Sequence, residues 1–237
     1  MKTRLTFITG TDTGVGKTLL TGALLDYLRH RGVDALAMKP FCSGGAEDLD
    51  FLDALQPGRL ARRRMNPFFF PEPVAPLVSA RWHYRTIPLA RVVRAVHGVA
   101  RECAHLLIEG SGGLMVPLGE NYDALDLITR LRCAVMVVAC NRLGTINHTL
   151  LTVRALRAAR IHQVKVVLMD GGAPAGGPGR PDRSVGSNPR LLAELLSPVP
   201  VLRLPFLGRN ASRPGVLKKN QKKIQKTLAR LLDYDTV

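Results

Sequence analysis

Residues 10–18 read Gly10-Thr-Asp-Thr-Gly-Val-Gly-Lys-Thr18, directly after the apolar run Leu5-Thr6-Phe7-Ile8-Thr9. A short β-rich run that stops at a glycine loop and opens a helix is the setting a phosphate-binding loop needs. Backbone N–H groups of such a loop point inward at an anion, and the positive end of the next helix's dipole adds to them. Lys17 then reaches the β- and γ-phosphates of a nucleoside triphosphate, and the Thr18 hydroxyl takes a place on magnesium. The usual pattern has four residues between its first glycine and Gly-Lys-Thr; here five separate Gly10 from Gly16 and Thr11 holds the usual glycine position. A β-to-α turn that binds nothing rarely supplies lysine then threonine at that point. Thr13, Gly14, Val15, Gly16, Lys17, Thr18 and Leu19 are therefore the expected phosphate-binding residues.

Outward from the loop, strand and helix signals alternate, the βαβα pattern of a mostly parallel central sheet with helices on both faces. Leu20, Leu24, Tyr27 and Leu28 share one helical face before Gly32. Strands are expected at 35–38, 106–109, 134–139, 164–169 and 199–204, and helices at 47–55, 88–102, 123–131, 188–196 and about 215–232. Ile146, Leu150, Val153 and Leu156 stripe another helix. Four prolines in 66–80 predict a long ordered loop, and Gly/Pro-rich 171–181 a second one. Neither a repeat nor a linker interrupts the pattern, so residues 1–237 read as one P-loop-type α/β domain.

The bulk numbers agree. A chain of 237 residues with 46% hydrophobic content can bury one sizeable core. Nothing approaches the roughly 18 apolar residues of a membrane span, and the short apolar run at the N-terminus is no signal peptide. Cys42, Cys103, Cys133 and Cys140 form no Cys-x-x-Cys, which argues against a zinc site or disulfide framework and for a reducing cytoplasm. Thirty-four basic against 18 acidic residues give a net charge of +16, part of it in the terminal helix. Such a field attracts anionic small molecules as well as polyanions, and without a nucleic-acid motif the expectation is against nucleic acid as partner.

In open α/β sheets ligands gather at the carboxyl ends of the strands. Those ends carry the phosphate loop, Lys39 before Pro40, Glu109 before Gly110-Ser111-Gly112, and Asn141 to His148. Lys39 can balance the charge of a transferring phosphoryl group. Glu109 suits a magnesium-side carboxylate, and Glu47-Asp48-Leu49-Asp50 offers one more; magnesium needs only a few protein oxygens. Glu109, Gly110, Ser111 and Gly112 join the expected nucleotide site, as do Asp170 and Pro205 at the ends of the later strands.

Five separated segments together resemble one family, dethiobiotin synthetase. They are the phosphate loop, Met38-Lys-Pro-Phe-Cys-Ser-Gly44, Asn66-Pro-Phe with Pro71-Glu-Pro-Val-Ala-Pro76, Ile108-Glu-Gly-Ser-Gly-Gly113 with Val116-Pro-Leu118, and Leu143-Gly-Thr-Ile-Asn-His148. The resemblance implies magnesium- and ATP-dependent closure of a ureido ring on 7,8-diaminopelargonic acid, with CO2 taken up as a carbamate. It implies Lys17 and Lys39 as catalytic cations and Thr18, Glu109 and Asp48, with Asp50 second, on magnesium. It further implies Ser43 on the substrate, and Gly144, Thr145 and Asn147 binding its carboxylate from the partner subunit of a homodimer. Two departures stand out: Met169 replaces the family's frequent adenine-reading asparagine, and the tail after Leu207 lacks the glutamate that other members place near the nucleotide.

Two other readings compete. A partitioning-type or regulatory ATPase would bind nucleic acid through the basic surface, but that class carries an early lysine in the loop and Thr11-Asp12-Thr13 has none. An amide-forming synthetase acting on a tetrapyrrole acid has a longer chain with a glutaminase domain.

Overall fold

The structure, a computed structural model, describes residues 3–171, 182–208 and 210–233. The first unit is β1 (Arg4–Gly10), the phosphate loop and α1 (Lys17–His30), followed by β2 (Ala35–Met38) and β3 (Phe41–Ser43). Next come α2 (Glu47–Leu55), α3 (Arg62–Met65), β4 (Phe68–Phe70), α4 (Pro76–Trp82) and α5 (Leu89–Ala100). The centre of the chain forms β5 (His105–Gly113), β6 (Pro117–Gly119), β7 (Tyr122–Asp123), α6 (Ala124–Leu131) and β8 (Ala134–Asn141). The last third supplies α7 (Thr145–Ala158), β9 (Val164–Asp170), α8 (Ser184–Leu196), β10 (Val201–Leu204) and α9 (Pro214–Leu232).

Six strands form one parallel sheet in the order β10-β9-β8-β1-β5-β2. Parallel strands need both faces covered, and their sequences read as unbroken apolar runs rather than alternating ones. Val135 to Ala139 of β8 show this: successive side chains point to opposite faces, yet all five residues are buried. Helices α1, α2 and α9 pack on one another, as do α5 and α6, so the sheet lies between helical layers. Where α1 meets α2, Gly22 permits the close approach; a β-carbon there would lie 2.3 Å from the Phe51 ring.

Segment 66–80 departs from its expectation as a loop. Phe68–Phe70 pairs in parallel with Phe41–Ser43, and Pro76 opens a helix instead of preventing one. Proline lacks an N–H that the first helical position leaves unpaired in any case, and its fixed φ suits that position. The prolines thus punctuate two short elements. The expected loop at 171–181 lies, beyond Gly171, outside the described residues. No helix among the described residues is long and apolar enough to cross a membrane. All four cysteines are free.

Candidate active site

Parallel order brings the carboxyl ends of β1, β2 and β5 side by side, because β1 pairs with β5 and β5 with β2. A cleft of about 680 Å3 lies there, lined by Thr13, Gly14, Gly16 to Leu19, Lys39, Ser43, Asp48, Glu109, Ser111 and Gly112, among others. The loop is shaped by Gly16, which sits at φ 100° as the cap of α1; a β-carbon there would be strained and would press to 3.1 Å on Met169. No side chain caps the start of α1 and its first turn holds no acid, so its N–H groups are left to an incoming anion.

The two lysines differ in state. Lys17 donates to the Asp12 carbonyl at 2.9 Å, and burial, against the pull of Glu109, lowers it to about 8. Burial alone would also lower Lys39, but the Glu109 and Asp48 carboxylates outweigh it and hold Lys39 above its ordinary value. Its Nζ donates to Glu109 Oε1 at 2.7 Å and to Asp48 Oδ2. The same Glu109 Oε1 accepts from the Thr18 hydroxyl at 2.7 Å. The Lys39 backbone is fixed from outside the site, because Asn66 donates to its carbonyl at 2.6 Å. Asn66 lies inside a recognisable motif segment, yet its proximity to Lys39, 27 positions earlier in the chain, is not legible from the sequence.

Whether a divalent cation fits can be judged from the oxygens. Glu109 Oε2 is buried and without a hydrogen-bond partner, as is the Ser43 hydroxyl. An orphaned buried carboxylate oxygen is costly unless a ligand completes it. Together with Thr18 and Asp48 it offers hard oxygen donors few enough to leave room for waters and phosphate, the arrangement magnesium favours. Among the described residues no group of three or more acidic, histidine or cysteine side chains gathers, so a fully protein-caged metal is not what this site offers.

Several expected residues fall elsewhere. Asp50 leaves the site and pairs with Arg62 at 2.6 Å in an exposed ion pair. Two residues along a helix are about 200° around it, so Asp48 and Asp50 cannot face one cleft. Asp170 is held by Asn141 at 2.8 Å and by Arg203 at 2.7 and 2.9 Å, and it does not line the cleft. Pro205 is exposed beyond β10, and the lining there comes from Phe206, Gly208, Ala211 and Ser212. Val15 and Gly110 are buried supports; a β-carbon at Gly110 would meet the Phe7 ring at 2.9 Å. Gly144, Thr145 and Asn147 start α7 and do not line this cleft either. Cys42 lies close by, but burial pushes its thiol up, so it offers no thiolate nucleophile.

Comparison with known proteins bears on this geometry. The family model described as an AAA domain matches residues 4–208. The ATP-dependent dethiobiotin synthetase BioD of Anaeromyxobacter sp. (strain Fw109-5) is 40% identical over 216 residues, 90% of this chain and 94% of that protein. The chain belongs to the dethiobiotin synthetase family. Other relatives with that name come from Bacillus licheniformis, 37% identical over 68% of this chain and 71% of its own length, and from Methanococcus vannielii, 35% identical over 68% and 77%. Among solved structures, the MinD cell division protein of Aquifex aeolicus superposes with a TM-score of 0.61 at 13% identity, covering 97% of both chains. A ParA family ATPase from Chlorobium tepidum gives 0.54 at 12% identity, covering 95% of this chain and 93% of that one. These two likenesses show a shared fold. The synthetase family, not the partitioning ATPases, is the one to which the sequence belongs.

Proposed function

We propose that this cleft closes the ureido ring of dethiobiotin on 7,8-diaminopelargonic acid, at the expense of ATP and with magnesium, in biotin biosynthesis. The observation that carries the reading is the convergence of Lys17, Lys39, Thr18, Asp48 and Glu109 on one crevice whose described lining holds no histidine or cysteine. Such a set lacks the Ser–His or Cys–His pairing that commonly activates a nucleophile. It is suited to positioning reactants and neutralising anions.

The reaction asks for that. One amine of the substrate takes up CO2 as a carbamate, whose oxygen attacks the γ-phosphorus and releases ADP. The second amine then attacks the carbonyl carbon and inorganic phosphate leaves. Lys17 steadies the β- and γ-phosphates beside the N–H groups of the loop, while Lys39 faces the carbamate and the phosphoryl group in transfer. Ser43, with an unpartnered hydroxyl, meets the substrate. Thr18, Glu109 and Asp48 would hold magnesium, which neutralises phosphate charge when bound. The cytoplasm, where ATP is available, is the compartment this reading requires.

Gly144, Thr145 and Asn147 serve the neighbouring subunit's substrate carboxylate in this reading. They do not line the cleft of their own chain, and Leu143 and Leu151 beside them are 79% and 57% exposed, as an interface strip would be. The test supplies ATP, magnesium, bicarbonate and the diamine and measures ADP release together with ring product. Hydrolysis indifferent to the diamine yet stimulated by DNA would overturn the reading. For shared sites, mixing Lys39→Ala with Asn147→Ala should restore about a quarter of parental turnover, since half the dimers are mixed and each mixed dimer keeps one intact site. No restoration would place both residues in one chain's site.

A further inference from the structure

At the opposite end of the sheet, where the strands begin, lies a cleft of about 750 Å3. Arg4, Arg101, Arg130, Arg132 and His97 line it, and among the described residues no carboxylate does. It shares Arg132, Cys133 and Gln163 with an adjoining hollow of about 500 Å3 that adds Arg160 and His162. Two acids beside these arginines in sequence have partners of their own, although Glu102 also feels the charge of Arg101. Glu102 takes the fork of Arg64 at 2.6 and 2.8 Å, and Asp126, bordering a third hollow beside Arg130 and Arg132, accepts from the Asp123 N–H at 3.0 Å. Arg101, Arg130, Arg132 and Arg160 make no ion pair with a carboxylate among the described residues.

The backbone supplies an independent observation. Four non-glycine residues among those described have positive φ, and two of them are Arg132 at 51° and Arg160 at 60°. They follow the ends of α6 and α7, positions that glycine ordinarily fills because a β-carbon is strained there. A helix dipole rewards a cation at its C-terminus and accounts for one charge at each end. It accounts for Arg101 at the end of α5 in the same way, but α6 carries two cations at its end, Arg130 and Arg132, and the dipole gives no reason for the ends of α5 and α6 to deliver theirs to one hollow.

We infer that this arginine-lined cleft is a second anion site, built for a small oligophosphate and separate from the phosphate loop. Guanidinium forks match phosphate oxygens in pairs. The hollow is also of the size that takes a nucleotide-scale ligand, whereas an extended polyanion is served by an open surface. β1 joins the two sites, with Arg4 at one end and Gly10 at the other.

The test titrates inorganic tripolyphosphate calorimetrically into the full chain saturated with ADP, so that the phosphate loop is occupied. One further site is expected, weakened at least tenfold in Arg101→Ala/Arg130→Ala and weakened again by salt. Arg132→Gly/Arg160→Gly relieves the strained backbone, so it should melt at a higher temperature than the parent while binding tripolyphosphate less tightly. Absence of the further site, or equal affinity in either double variant, would overturn the inference. So would binding of a single-stranded oligonucleotide, or of phosphatidylglycerol vesicles, that tripolyphosphate cannot displace.

Discussion

Replacing Lys39 with methionine separates what the residue does for the fold from what it does for the reaction. The ammonium is buried, and Glu109, its partner at 2.7 Å, is fully buried. Truncating one member of such a pair strands the other, at a cost of about 3–5 kcal/mol. For a chain of this length that lowers Tm by roughly 6–20 °C. Adding Glu109→Gln removes the stranded charge and should return most of the loss, because the amide can still accept from Thr18. Asp48, the other partner, is 43% exposed and is solvated without help. Turnover should follow a different course: loss of one cation aimed at developing charge costs about 10²–10³ in kcat, and the double variant should recover none of it. Urea or thermal unfolding gives the first quantity and a coupled ADP-release assay the second. A single variant as stable as the parent, or a double variant that regains turnover with its stability, would refute the assignment.

Asp48→Ala should raise the magnesium concentration needed for half-maximal rate, whereas Asp50→Ala, which breaks only an exposed ion pair, should leave rate and magnesium dependence unchanged and stability within about 0.5 kcal/mol. Lys17, lowered to about 8, loses its charge above that pH, so ATP binding should weaken with rising pH and should take up a proton near pH 8.5. Calorimetry in buffers of unlike ionisation enthalpy reads that proton. His105 is buried on β5, and burial, with Arg4 nearby, lowers it from 6.5 to about 4. The unfolded chain therefore binds the proton first: this contribution is present above pH 6.5 and is lost as pH falls towards 4, by about 3 kcal/mol in all. His105→Gln should flatten that part of the stability–pH curve.

Much of this protein is legible along the chain because its signals are local. Gly16-Lys17-Thr18 between an apolar run and an amphipathic stretch declares strand, loop and helix, since a phosphate loop is built from neighbours in sequence. Glu47–Leu55 and Ala35–Met38 follow from period and punctuation, and the helix and strand begin and end where those signs place them. Segment 66–80 was misleading because proline has two meanings. It breaks a helix interior but suits a helix start, and only the pairing of Phe68–Phe70 with Phe41–Ser43 shows which applies.

Order along the chain is enough to read the α/β class, the phosphate loop, and the cations and carboxylates from which a site could be made. Only the closed fold sets the strand order that brings Glu109 beside Lys39, 70 positions away, and selects which face of α2 meets the site, so that Asp48 stays there and Asp50 goes to Arg62. It also decided that arginines from β1, α5 and α6 meet at the far end of the sheet. The physical reason is that backbone geometry and solvent preference act between neighbours in the chain, whereas an ion pair depends on distances that exist only once the apolar faces have closed on each other.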